Sequence, residues 1–191
     1  GEDGQPSHDN PSAGYLIRKH VDPTFVHSTN TGSYKSRQGI LYRLAEAYLS
    51  YAESLYEYSV ATGTYTDNET EILDYINRVR YRAGIPQYGK GADQIPVTEA
   101  QLRDLIRRER RVELNCEAGI RFDDLRRWKE AETALNGKFY GMNALAKSTE
   151  RDEYYKRTLY QTRRFISYWW PIPQDDIDKN TNLRQLPGWW R

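Results

Sequence analysis

The stretch from Arg107 to Trp128, RRERRVELNCEAGIRFDDLRRW, constrains the fold more than any other part of the chain, because its charges sit where a helix would bury them. Projected at about 100° per residue, Leu102, Leu105, Ile106, Val112 and Cys116 share one face, and Glu109 and Glu113 fall inside the same stripe. A carboxylate withdrawn from water without a partner is strongly destabilising or takes up a proton. The expected partners are Arg121, Arg126 and Arg127, with Arg78 and Arg82 on an earlier helix. Glu109, Glu113, Glu117, Arg121, Asp124 and Arg127 are therefore expected to form a salt-bridge network that ties helices together.

The chain supplies helices for such a network. From Gly39 onward, Leu41, Leu44, Ala45, Tyr48, Ala52, Leu55 and Tyr56 recur at three and four residues while Glu46, Glu53 and Glu57 avoid that face, which predicts a long amphipathic helix ending near Gly63. Asn68 followed by Glu71 predicts the next helix start, Ile72, Ile76, Val79 and Ala83 mark its face, and Gly84 with Pro86 stops it. Thr98 and Gln101 form a capping box for a third helix, broken at Gly119 or its neighbour. A fourth, from about Arg121 to Leu135, presents Phe122, Leu125, Trp128 and Leu135. Residues 136 to 148, with Gly137, Gly141 and Asn143, read as a loop, followed by a short helix near Arg151 to Thr158. The remainder, with Pro171, Pro173, Pro187 and several tryptophans, reads as extended chain packed on the helices. Before Gly39, residues 1 to 13 read as a lead or surface loop, and the segment to about Gly32 as short extended pieces around Tyr15, Ile17, Val21, Phe25 and Val26.

The expected fold class is all-α: helical hairpins of the tetratricopeptide (TPR) kind in a superhelical core, with long irregular loops and an extended C-terminal tail. No clean internal repeat is present at that period. Residues 1–38 form an irregular lead, 39–135 the helical core, and 136–191 the loop, short helix and tail, together one domain of a longer fold. At 191 residues the chain can bury roughly 70% of its unfolded surface.

Charged residues make up 29% of the chain and nearly cancel to +1, which argues against a purely electrostatic nucleic-acid or membrane-surface binder. The arginine run Arg103, Arg107, Arg108, Arg110 and Arg111 is interrupted by Asp104, Glu109, Glu113 and Glu117, so it reads as a charge-mixed helix and not as a phosphate-binding stripe. A single cysteine excludes an internal disulfide, and Cys116 on an apolar face is expected to be buried as a small hydrophobe. His8, His20 and His27 have no spacing that sets two on one helix face, so metal binding is not expected. No apolar run reaches bilayer-spanning length.

Four segments carry a family resemblance. ERRVEL with CEAGIRFDDLRRW resembles the signature helix pair of the SusD/RagB-like outer-membrane nutrient-binding proteins of Bacteroidetes. Trp170-Pro171-Ile172-Pro173, then Asp178 through Gln185, then Pro187-Gly188-Trp189 resemble that family's C-terminal motif. Gly14 to Lys19 and Tyr42 to Glu53 are similar to two further family segments. One departure is the three-residue spacer Ala118-Gly119-Ile120 between Glu117 and Arg121, where two residues are usual, which leaves open the carboxylate that Arg121 meets. The resemblance implies a non-enzymatic, cofactor-free protein that captures oligosaccharides or peptides outside the cell as a lid over a SusC-like TonB-dependent transporter. It also implies a lipid anchor at the N-terminus of a longer protein, on the extracellular face of the outer membrane, with the present chain as its C-terminal portion and much of the ligand surface in the other portion. A free-standing TPR-like scaffold for a protein or peptide partner is the alternative.

Paired acids could run glycoside hydrolysis, but Glu109, Glu113, Glu117, Asp123 and Asp124 are crowded by arginines that favour the ionised form, whereas a hydrolase keeps one acid protonated. Serine nucleophile elbows, glycine-rich phosphate loops and zinc-protease motifs are absent from the sequence. Sixteen tyrosines against four phenylalanines suit either sugar stacking or half-buried packing. Tyr34, Tyr65, Tyr88 and Tyr140, placed in loops, are the candidate ligand-binding residues, while Tyr168, Trp169, Trp170, Trp189 and Trp190, interleaved with prolines, are expected to pin the tail by packing.

Overall fold

A computed structural model describes residues 13–15, 17–19, 21–22, 39–117, 119–147 and 149–189. His8, His20, His27, Tyr34, Trp190 and most of the expected extended pieces before Gly32 lie outside these residues. The described chain is mostly helical, 47% by residue, with little strand. It divides into two compact units, one of residues 23–121 and one of residues 1–22 with 122–191.

The helical unit holds α1 (Leu44–Thr62), α2 (Tyr65–Arg82) and α3 (Glu99–Glu113). Gly63 ends α1 in the left-handed conformation at φ 71°, and α2 begins two residues later, earlier than Asn68 suggested. Asn68 lies inside α2, where its side-chain amide donates to Ser59 Oγ at 3.0 Å and to the Thr64 carbonyl at 3.1 Å, closing the hairpin. Ring contacts Tyr48–Tyr75 and Tyr56–Tyr65 show that α1 and α2 run antiparallel. The capping box at Thr98 and Gln101 opens α3, as the spacing predicts. Tyr56 donates to the Glu99 carbonyl and Arg110 meets Ser50, so α3 also runs antiparallel to α1. Ala52, Tyr56, Ile72, Ile76, Leu102 and Ile106 form the main core, with Leu49, Val79 and Leu114 in a second cluster.

Several expected core positions fall outside it. Leu41 and Leu44 are exposed, because α1 begins only at Leu44 and its buried stripe starts at Leu49. Val112 is exposed: it lies at the edge of the projected stripe, and the buried face of α3 is turned toward Ile106 and Arg110. Cys116 is exposed as well, since α3 ends at Glu113 and Cys116 sits in a turn at φ 63°, where the helical projection no longer applies. Glu53 is the converse case, buried on the inner side of α1 where the polar pattern had placed it outside.

α4 (Ile120–Arg127), whose first two residues still belong to the helical unit, and α5 (Ala131–Ala134) in the second unit replace the single helix expected to Leu135. The break is at Lys129, at φ 60°. Residues 137 to 141, expected as loop, are strand β1 (Gly137–Gly141), paired antiparallel with β2 (Thr158–Arg163), with α6 (Arg151–Tyr154) between them. Phe139 faces Gln161 and Tyr140 faces Leu159, so Tyr160 is the extra residue of a β-bulge. Ala13 lies along the end of β1: Met142 donates to its carbonyl, and a Cβ on Gly141 would stand 2.5 Å from that oxygen. The tail carries α7 (Gln174–Lys179), which its prolines did not announce. Gln185 bridges the backbone of Ile172 through both ends of its amide, each at 2.9 Å, and Trp189 Nε1 donates to the Trp169 carbonyl at 2.7 Å.

Candidate functional site

Glu109 and Glu113 on α3, with Glu117 just beyond it, are the natural place to look for chemistry, and each is engaged by a guanidinium within the helical unit. Glu109 accepts from Arg80 at 2.7 Å, with both side chains almost fully buried. Arg80 also donates to the Pro86 carbonyl and lies 4.0 Å over the Tyr88 ring, so its position is fixed from three sides. Glu117 accepts both an Nε and an Nη of Arg43, at 2.9 and 2.6 Å, in the fork geometry that suits guanidinium and carboxylate. Glu113 accepts from the third nitrogen of Arg43 at 2.8 Å and from Arg82. The hydrogen bonds that Arg43 donates to Glu117 raise its pKa above its usual range, and this cation stays charged at any working pH. Arg110 with Glu53 and Arg103 with Glu57 join α3 to α1 in the same way.

Arg82, an expected partner, does meet Glu113, but the other partners differ from the sequence expectation. Arg78 pairs with Asp74 on its own helix and lies over the Tyr48 and Tyr75 rings. Two residues beyond Ile76 it projects about 200° away from the buried stripe, whereas Arg80, four residues beyond, returns to it. Arg43, Arg80 and Arg110 were missed as partners, and the signal for Arg80 was this same helical period. In the second unit, Arg127 pairs with Asp124, three residues before it, while Arg126 donates to the carbonyls of Ser167 and Tyr168.

Of the tyrosine candidates, Tyr65 lies in the first turn of α2 and not in a loop, and is 8% exposed; Tyr88 is 5% exposed. Both rings belong to the main core, so neither presents a face to a ligand. Burial together with the nearby Glu69 pushes the Tyr65 hydroxyl up to about 12. The Tyr88 backbone is clasped by Asn77, which donates to its carbonyl and accepts from its N–H, both at 2.8 Å. Tyr140 is exposed on β1, with the Arg157 guanidinium 3.9 Å above its ring. Trp169 and Trp170 are mostly exposed, against the expectation of packing, because the bonds that hold the tail run through their backbone and through Gln185 and Trp189. Trp170 still has Phe122 and the Arg126 guanidinium beside it. Beneath the tail motif lies an open pocket of about 820 Å³, lined by Pro171, Ile172, Pro173, Ile177, Gln185 and Trp189 among others.

A model of the SusD family matches residues 1–189. Among solved structures, BT4246 is 36% identical with a TM-score of 0.73, over 93% of this chain and 30% of its own. A SusD-like protein from Bacteroides fragilis, BF3747, is 28% identical with a TM-score of 0.70, over 93% of this chain and 31% of its own. BF0978, a SusD-like carbohydrate binding protein from the same organism, is 34% identical with a TM-score of 0.57, over 76% of this chain and 28% of its own. This chain thus spans about 30% of the length of these relatives. Among curated proteins there is no match.

Proposed function

We propose a function from one established premise: the chain belongs to the SusD family. In this reading it is part of a surface-exposed nutrient-binding subunit that closes as a lid over a SusC-like TonB-dependent transporter and is held to the outer membrane by a lipid anchor. The ligand is a glycan or a peptide, and a relative described as a carbohydrate binding protein favours the glycan. The α1–α3 hairpins would be the local part of a TPR-like superhelix.

The observation that carries a binding role without catalysis is the pairing of Glu109, Glu113 and Glu117 with Arg80, Arg43 and Arg82. Largely buried and bonded to guanidinium groups, these carboxylates are not presented to a sugar as a hydrolase presents its acid pair. Their role in this reading is architectural. Affinity would then come from exposed rings such as Tyr140 and from hydrogen bonds on a largely preformed surface, with Tyr34, outside the described residues, as a further candidate from the sequence. Rigid-body hinge movement would pass the ligand to the barrel.

The test is isolation of the protein at its full encoded length from native outer membranes, followed by binding assays against neutral glycans, acidic glycans and peptides. Recovery with a TonB-dependent barrel and retention of a glycan support the proposal. A protein that comes away alone and binds no glycan or peptide refutes it. Sugar hydrolysis that vanishes in a folded Glu109→Gln or Glu113→Gln variant would overturn the non-enzymatic part.

A further inference from the structure

Within the helical unit Arg43, Arg78, Arg80, Arg82, Arg103 and Arg110 face carboxylates. The β1–β2 ribbon is built differently. Its strands and their flanks carry Lys138, Arg157, Arg163 and Arg164, and residues 137–141 and 157–164 include no acid. None of these four cations has a carboxylate partner among the described residues: Arg157 lies over Tyr140, and Arg163 lies over Phe139 and donates to Gln161. Of the three acids between the strands, Glu153 is engaged by Lys156 and Glu150 by the Lys147 backbone, while Asp152 lies in the first turn of α6. All six residues of β2 are exposed.

The strand period sorts these groups. Lys138 and Tyr140 point to one side of β1, where Thr162 stands opposite Lys138 and Leu159 opposite Tyr140, and Tyr160 is the unpaired bulge residue next to Leu159. Arg157 must also be there, since its guanidinium covers the Tyr140 ring at 3.9 Å. That stacking restrains a long side chain before any ligand arrives, which lowers the entropy lost when it binds an anion. Tyr160 is 42% exposed, and its ring has no aromatic or cationic partner among the described residues. The bulge that makes Tyr160 the extra residue locally re-aims it.

We infer that this face of the ribbon is a docking surface for an acidic glycan, one carrying uronate or sulfate groups, with Tyr160 stacking on a sugar ring and Lys138 and Arg157 meeting the anion. The inference rests on the proposed nutrient-binding role and narrows its ligand class. Charge selects the acidic glycan over a neutral one: desolvating unpaired cations against uncharged hydroxyls gains little, whereas a carboxylate or sulfate accepts charge-assisted hydrogen bonds. An open ring beside the cations suits the apolar face of a sugar.

The experiment uses the protein at its full encoded length in affinity electrophoresis against polygalacturonate, chondroitin sulfate and a neutral starch. Retardation by one of the acidic polymers, weakening as salt rises, is expected. Arg157→Ala and Lys138→Ala should each weaken that retardation by about two- to fivefold, and Tyr160→Ala by about fivefold. Because these side chains are at the surface, unchanged circular dichroism melting is expected, and Arg157→Lys should keep part of the binding. Equal retardation by acidic and neutral polymers, or acidic binding indifferent to all three alanine variants, overturns the inference. Binding to the neutral polymer alone overturns it while leaving the nutrient-binding reading intact. Failure to bind any glycan or peptide removes both. A ribbon whose Lys138 resists acylation in the intact folded protein belongs to an internal contact, which also overturns it.

Discussion

Arg80 and Glu109 meet at 2.7 Å between α2 and α3, with both side chains less than a tenth exposed. The arginine reaches Glu109 because Tyr88 and the Pro86 carbonyl hold it in place, so the ion pair joins two helices and the loop that follows α2. Removing one partner leaves the other charged and buried. Glu109→Ala or Arg80→Ala should each destabilise the chain by about 3–5 kcal/mol. A double replacement by apolar residues, Arg80→Met with Glu109→Leu, should recover most of that loss. Urea unfolding of the three variants decides the matter, and a single variant as stable as the parent would show that the pair holds nothing together.

The sequence disclosed that acids would be clamped, and of the arginines that clamp Glu109, Glu113 and Glu117 it pointed only to Arg82. Glu109 was legible because it interrupts an apolar stripe, and that inference needs only the helical period. Arg43 was not, because it precedes α1 in extended conformation at φ −128°, and no periodicity reaches a residue outside a helix. The hairpin turn at Gly63 and the capping box at Thr98 were readable because each rests on residues adjacent in sequence. The strands were hidden for the opposite reason. β1 is five residues with a glycine at each end, and its pairing with β2 is a non-local contact that leaves no repeating apolar mark. Tyr65 and Tyr88 looked like loop residues because their cover comes from helices distant in sequence.

Gln185 replaces a strand partner for Ile172, accepting from its N–H and donating to its carbonyl. The carboxamide supplies a donor and an acceptor side by side without a net charge, and asparagine, which carries the same group, is one methylene shorter. Gln185→Leu should free the turn at Pro171–Pro173 at a cost of about 1–3 kcal/mol, with faster amide exchange at Ile172. Gln185→Glu keeps the acceptor but loses the donor, and should fall between the two. Unchanged exchange at Ile172 in Gln185→Leu would show that the clasp contributes nothing to holding the tail.

Gly141 lets the backbone of Ala13 approach β1. An added Cβ would stand 2.5 Å from the Ala13 oxygen and 3.0 Å from its Cα, and backbone cannot swing aside as a flexible side chain can. Gly141→Ala should therefore displace residues 13–14 and cost about 1–3 kcal/mol. Gly39, where a Cβ meets nothing within 4 Å, is the control, and Gly39→Ala should leave stability unchanged or slightly raised. Cleavage near Ala13 under limited proteolysis reports the displacement. Equal protection in the two variants would contradict the close approach.

Tyr65 makes stability depend on pH at the alkaline end. Burial raises its hydroxyl from 10.0 to about 12, so folding favours the protonated form. A group whose folded pKa lies above its unfolded one contributes fully below the unfolded value and loses that contribution as pH rises toward the folded value. The contribution of Tyr65 is therefore complete below about pH 10 and lost between about pH 10 and about pH 12. Tyr56, also raised by burial, acts in the same direction, so the useful quantity is the difference between the parent and Tyr65→Phe. The hydroxyl's bond to Glu69 is long at 3.4 Å, and the phenylalanine variant should unfold at nearly the parent's urea midpoint at neutral pH. Through the alkaline window the parent should lose stability more steeply, the variant having no proton to surrender. Midpoints that fall in parallel across that range would mean Tyr65 titrates as freely in the folded chain as in the unfolded one.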